Sequence, residues 1–218
     1  MRKKFSRPTF GLLLAFLLLQ PQALQVSAAK FKLLTDPKKT CSAIQLSGEI
    51  VAGDYNRFSA VLRKAAAIAP VRRLYLNSEG GQLLAAFAIT DLIRQMAPNI
   101  ETIVQARQMC NSACVTVLTV GSQKYVSRRA AVIVHRAFDP TTNKSSIEAT
   151  KQQGEFMIAN GMPQGVGETM GKLRPKQQIQ VNRSNARKLG FDSFKFYKGA
   201  NPPATPGCSW VGPPASKP

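Results

Sequence analysis

The chain has 218 residues, 30 Lys and Arg against 11 Asp and Glu, a formal net charge of +19 and a single histidine. This length suits one domain with a sizeable core and leaves two cramped; one histidine and no CxxC pair argue against zinc, and no metal or other cofactor is expected. The charge favours anionic partners, an envelope lipid or polymer among them, while one Trp, sparse aromatics and no interleaved motif set specific nucleic-acid binding aside.

Residues 1–28 read as a secretory signal peptide. Arg2, Lys3, Lys4 and Arg7 precede the apolar run Phe10 to Leu19, and Val26-Ser27-Ala28 supplies the small residues of a cleavage site. The run falls short of the ~20 residues that span a bilayer, which disfavours the alternative of a retained anchor. An exported protein is therefore expected, periplasmic or secreted, with a charge of +15 once these four basic residues are removed from +19. Residues 29–40 form a basic, loosely held lead-in. Cys41 to Ile50 alternates at the period of a strand, Asp54 caps a helix from Tyr55 to Ala69, and Pro70 stops it. Val71 to Leu76 is the next strand and runs into Asn77-Ser78-Glu79-Gly80-Gly81, after which an apolar helix extends from Gln82 to Met96. A strand, a glycine turn and a helix in that order set backbone N–H groups at a helix N-terminus, where a developing oxyanion is favoured. The plain alternative is a tight turn that needs φ > 0.

Asn99 to Ala106 reads as a third strand. It leads to Cys110-Asn111-Ser112-Ala113-Cys114 and then to a helix or buried apolar run ending at Gly121. Lys124 to Val126 and Ala130 to His135 are further short strands, and the alternation from Cys41 onward predicts an α/β domain with a mostly parallel sheet and flanking helices. Asp139 to Ser146 is a polar loop, Ile147 to Asn160 a helix, and Ile179 to Leu189 another, closed by Gly190 as a C-cap. The tail over residues 196–218 is rich in proline and reads as extended or disordered apart from Cys208 and Trp210. Export favours disulfides among Cys41, Cys110, Cys114 and Cys208. Four cysteines allow three pairings, and the sequence alone does not choose. A Cys41–Cys208 bond would tie the chain ends together, whereas a Cys110–Cys114 bond needs unusual geometry if both lie on one helical turn.

The glycine turn, the helix after it, the Cys110 to Cys114 segment and Val132-Ile133-Val134-His135, in this order, resemble the proteolytic subunit of Clp protease and its exported relatives in the ClpP/crotonase superfamily. The resemblance covers roughly Cys41 to Gly190, and Asn185 to Phe191 resembles the closing helix of that family. It implies a ClpP/crotonase-like spiral of β-β-α units over residues 41–195, a peptide or protein substrate and a homo-oligomer. It also implies Ser112 as nucleophile, His135 as general base, and the backbone N–H groups of Gly81 and Ala113 as the oxyanion hole. These roles fit the chemistry, since a serine hydroxyl is a weak nucleophile until an imidazole takes its proton. Taken singly, a serine at a helix start is often a cap and a lone histidine on a strand often structural.

Two departures stand out. The family orients its histidine with an aspartate, yet Thr169 to Phe191 contains no carboxylate; Asn182 is near the expected place and Asp139 is close to His135 in sequence. Glu79 replaces the proline of the glycine turn. The expected function is an exported serine peptidase acting on short or unfolded peptides. The alternative is a non-catalytic basic envelope-binding protein that keeps the fold.

Overall fold

A computed structural model describes residues 28–139, 141–142, 144–199 and 201–209, so the expected leader up to residue 27 lies outside the described residues, as does Trp210. In chain order its elements are β1 (Lys30–Thr35), β2 (Ser42–Ser47), α1 (Asp54–Ile68), β3 (Val71–Asn77), α2 (Leu83–Met96), β4 (Glu101–Val104), β5 (Met109–Asn111) and α3 (Ala113–Thr119). They continue with β6 (Gln123–Ser127), β7 (Ala131–His135), α4 (Ile147–Ala159), α5 (Gly165–Lys172), β8 (Gln178–Gln180) and β9 (Phe194–Tyr197). Six strands form one sheet in the order β1-β2-β3-β4-β6-β9, and all pairs are parallel except β1 with β2. This is the expected mixed α/β architecture with a mainly parallel sheet and flanking helices.

Successive side chains of a strand point to opposite faces, and the two faces of this sheet are covered differently. Ile44, Leu46, Leu74 and Leu76 meet Phe58, Leu62 and Ala65 of α1, Ile89 and Ile93 of α2, and Val115 and Leu118 of α3 in the main core. The other face holds a small cluster of Ala43, Tyr75 and Ile103, and beside it the buried Arg73 and Glu101. Residues 201–209 lie over this second face. Thr205 Oγ1 donates to Glu101 at 2.6 Å and accepts from Arg73 Nε at 2.6 Å, Arg73 Nη2 donates to Pro203 O, and a Cys41–Cys208 disulfide fixes the end. Of the expected alternatives, an extended or a disordered tail, this stretch takes the extended one: it has neither helix nor strand yet is anchored at several points. Buried Arg73 and Glu101 would be costly without partners; they pair with each other at 3.1 Å, and Thr205 and the Pro203 carbonyl of the tail add to that pair.

Two other expectations change. The lead-in is strand β1, in which Phe31 and Leu33 alternate with Lys30 and Lys32 and Phe31 packs on Phe58 at 5.4 Å. Ile179 to Leu189 is not one helix. Gln178-Ile179-Gln180-Val181 alternates at the period of a strand, and β8 accordingly pairs antiparallel with β7, before a run of turns that Gly190 closes at φ 78°. Asp54 sits one residue inside α1 rather than before it, and its carboxylate accepts from Val51 N at 2.7 Å.

Candidate active site

The site is built where a second, three-stranded sheet, β5-β7-β8, meets the end of the first. Parallel pairing sets Met109 against Ala131, Cys110 against Val132 and Asn111 against Ile133, and Ser112 N extends the ladder by donating to Ile133 O at 2.9 Å. Ser112 therefore leaves β5 at the same end at which β7 delivers His135. The glycine turn is attached to β5 as well. Ser78 N donates to Met109 O at 2.8 Å and Asn111 N to Ser78 O at 3.0 Å. A Cβ on Gly80 would stand 2.5 Å from Asn111 O and 2.7 Å from Ser112 Cβ, so only glycine lets the turn approach the serine this closely. Gly81, at φ 129°, is similarly pressed against Ile50 O, with which it forms an isolated bridge.

Ser112 occupies φ 53°, ψ −123°, a conformation that costs a non-glycine residue about 1–3 kcal/mol and persists only where its surroundings enforce it. Several contacts do so. Ser112 N is bonded to Ile133 O, Val115 N donates to Ser112 O at 2.9 Å, and Gln153 Nε2 of α4 donates to the same carbonyl at 3.2 Å. A Cys110–Cys114 disulfide bridges the turn, with Cα atoms 5.2 Å apart. The objection that both cysteines share a helical turn does not apply, because Cys110 is in β5, Cys114 in α3, and the chain reverses at Ser112 between them. Ser112 precedes α3 yet makes no side-chain cap hydrogen bond, which removes the simplest structural use for its hydroxyl. Ser146, at the start of α4, does cap, accepting from Ala149 N at 3.0 Å.

Among the described residues, neither Gly81 N–H nor Ala113 N–H donates a hydrogen bond. For Ala113 this is notable because the residue is 1% exposed, and a buried unpaired N–H is costly unless something is to be bound there. The two donors belong to neighbouring backbone, since a Gly80 Cβ would lie 3.1 Å from Ala113 N.

The histidine has a partner that the sequence did not suggest. His135 Nδ1 is 2.8 Å from the carbonyl oxygen of Arg136. A carbonyl only accepts, so Nδ1 carries the proton and the lone pair of the neutral ring is on Nε2, the form a general base needs. Arg136 is itself anchored, donating from Nε to Leu173 O at 2.8 Å. No hydrogen bond joins Ser112 Oγ to the ring among the described residues.

Asn182 and Asp139 are not brought to His135. The β7–β8 register puts Gln178 opposite His135, which leaves Asn182 roughly 13 Å along the strand at about 3.3 Å per residue. Its side-chain oxygen instead accepts from Ser184 N, Ser184 Oγ and Asn185 N, a local cap for the following turns. The Asp139 carboxylate takes the backbone N–H groups of Thr141 and Thr142, which hold it below the usual carboxylate range. Gln153 was also missed. A buried glutamine has no signature of its own, and only Thr150, Gln153, Gly154 and Met157, at helical spacing, mark that face of α4 as inward.

The Clp protease family model matches residues 37–171, well over half of the chain and inclusive of the glycine turn, the serine turn and His135. No curated protein matches. Among solved structures, a point mutant of ClpP1 from Listeria monocytogenes is similar at 16% identity and a TM-score of 0.56, covering 74% of this chain and 93% of that one. The ClpP protease catalytic domain from Plasmodium falciparum is similar at 18% identity and a TM-score of 0.56, covering 76% and 89%. These likenesses concern the fold, whereas the extent of the family match establishes kinship: the chain belongs to the Clp protease family.

Proposed function

We propose that the protein is a serine peptidase in which Ser112 attacks the scissile carbonyl, His135 Nε2 takes its proton, and the N–H groups of Gly81 and Ala113 receive the oxyanion. The observation that carries this reading is the unpaired, buried Ala113 N–H beside a serine held at positive φ without a capping role. Each oxyanion donor is worth about 3 kcal/mol of barrier. The Arg136 carbonyl supplies the tautomer that an aspartate would, without the negative charge that stabilises imidazolium, so modest turnover is expected. Proton transfer requires the ring to close on Ser112 Oγ when substrate binds, and apo sites are commonly looser than the reacting complex. The basic N-terminal region, its apolar run and two disulfides support export, and family membership supports self-association and short or unfolded peptides as substrates. Cleavage of an unstructured fluorogenic peptide pool that disappears in Ser112→Ala is the expected result. Equal cleavage by Ser112→Ala would refute the assignment.

A second reading, a non-catalytic envelope-binding protein, rests on the strongly basic balance, +19 for the chain and +15 without the four basic residues of the expected leader. It predicts salt-sensitive binding to anionic vesicles that survives Ser112→Ala. Absent or salt-insensitive binding would exclude it.

A further inference from the structure

A cavity of about 250 Å³ opens directly beside His135, and Arg136, Phe138, Lys176 and Gln178 are among its walls. None of the residues lining it is acidic. Its donors are only partly used. Arg136 spends Nε and Nη2 on Leu173 O and keeps the N–H groups of Nη1, while among the described residues the Lys176 ammonium and the Gln178 amide have no hydrogen-bond or ion-pair partner. Gln178 is the register partner of His135, and directly opposed residues of an antiparallel pair project to the same face. The carboxylate nearest in sequence, Asp139, is occupied by its own loop and does not line the cavity. Phe138, 51% exposed and 5.7 Å from the His135 ring, adds an apolar wall. The cavity thus offers two cations, an amide donor and an aromatic wall, and no carboxylate among its lining residues.

We infer that this cavity is a specificity subsite for a peptide carboxylate, either an acidic side chain or a free C-terminus. The inference rests on the peptidase reading for its purpose, though not for its binding chemistry. The test uses three short peptides of one sequence, carrying an uncharged dye. The first has an internal Glu and an amidated end, the second Gln with a free C-terminal carboxylate, and the third Gln with an amidated end. Binding is measured on the Ser112→Ala protein by anisotropy, and hydrolysis on the wild type. A carboxylate peptide binds about tenfold more tightly than the neutral one, and the gain shrinks as salt rises. The first two peptides distinguish a side-chain from a terminal carboxylate. Lys176→Glu abolishes the preference, whereas Lys188→Glu, the same charge change on an exposed lysine outside the cavity, preserves it. Equal binding of all three peptides, or equal losses in the two lysine variants, overturns the subsite. Preference in binding with no cleavage of any peptide leaves the subsite standing and removes the peptidase; cleavage without preference does the reverse.

Discussion

At the scale of single residues, the proposed chemistry depends on how Ser112 and His135 are held. If Ser112 is strained as its φ of 53° implies, Ser112→Gly is more stable than Ser112→Ala by about 1 kcal/mol, the reverse of helix-propensity order. Chemical denaturation of the two variants decides it, and Ala at or above Gly would mean that the serine is unstrained. Gln153→Leu leaves the Ser112 carbonyl short of a partner and costs about 1–2 kcal/mol. Because Gln153 acts through the serine turn, it lowers kcat with KM little changed. Asn182→Asp should not accelerate hydrolysis, since that side chain caps a turn roughly 13 Å along the strand from the partner of His135. Ser112, His135 and the glycine turn could be singled out in the sequence because side-chain identity and order mark them. The group behind His135 was not, since a backbone carbonyl has no letter in the sequence.

At the scale of elements, the two disulfides do different work. The Cys110–Cys114 bond spans a sequence separation of 4 around Ser112 and by chain entropy contributes about 2 kcal/mol. The Cys41–Cys208 bond closes a separation of 167 and anchors the tail, for about 5 kcal/mol. Cys110→Ala with Cys114→Ala therefore loses more activity than stability, and Cys41→Ala with Cys208→Ala the opposite, as thermal melts and peptide hydrolysis will tell. Asp36 secures the same junction. Burial alone would raise its carboxyl, but hydrogen bonds from Thr40, Ser209 and the backbone N–H groups of Cys41 and Ser209 outweigh it and hold it well below the usual range. A depressed folded pKa means stability that is present above the unfolded value near 3.9 and lost as pH falls through it towards the folded one. The stability difference between wild type and Asp36→Asn, measured in urea, accordingly shrinks below about pH 4. Two elements differ from the sequence expectation for physical reasons. The lysines of β1 mask the alternation of Phe31 and Leu33, and the strand pattern Gln178 to Val181 is too short to stand apart from the turns after it.

At the scale of the whole molecule, strand and helix alternation was enough to reveal a parallel α/β domain, because each element repeats its own period. The tail over residues 201–209 was not legible, because it is held by a few polar contacts to Arg73, Glu101 and Asp36 and one disulfide instead of by any periodic apolar face. The proposed peptidase stands or falls on whether His135 drives Ser112. The direct measurement is site-resolved mass spectrometry after exposure to a fluorophosphonate, with both disulfides intact. A single adduct on Ser112 that vanishes in His135→Ala is the predicted result. No adduct on the folded protein, or one formed equally fast without His135, would contradict the account.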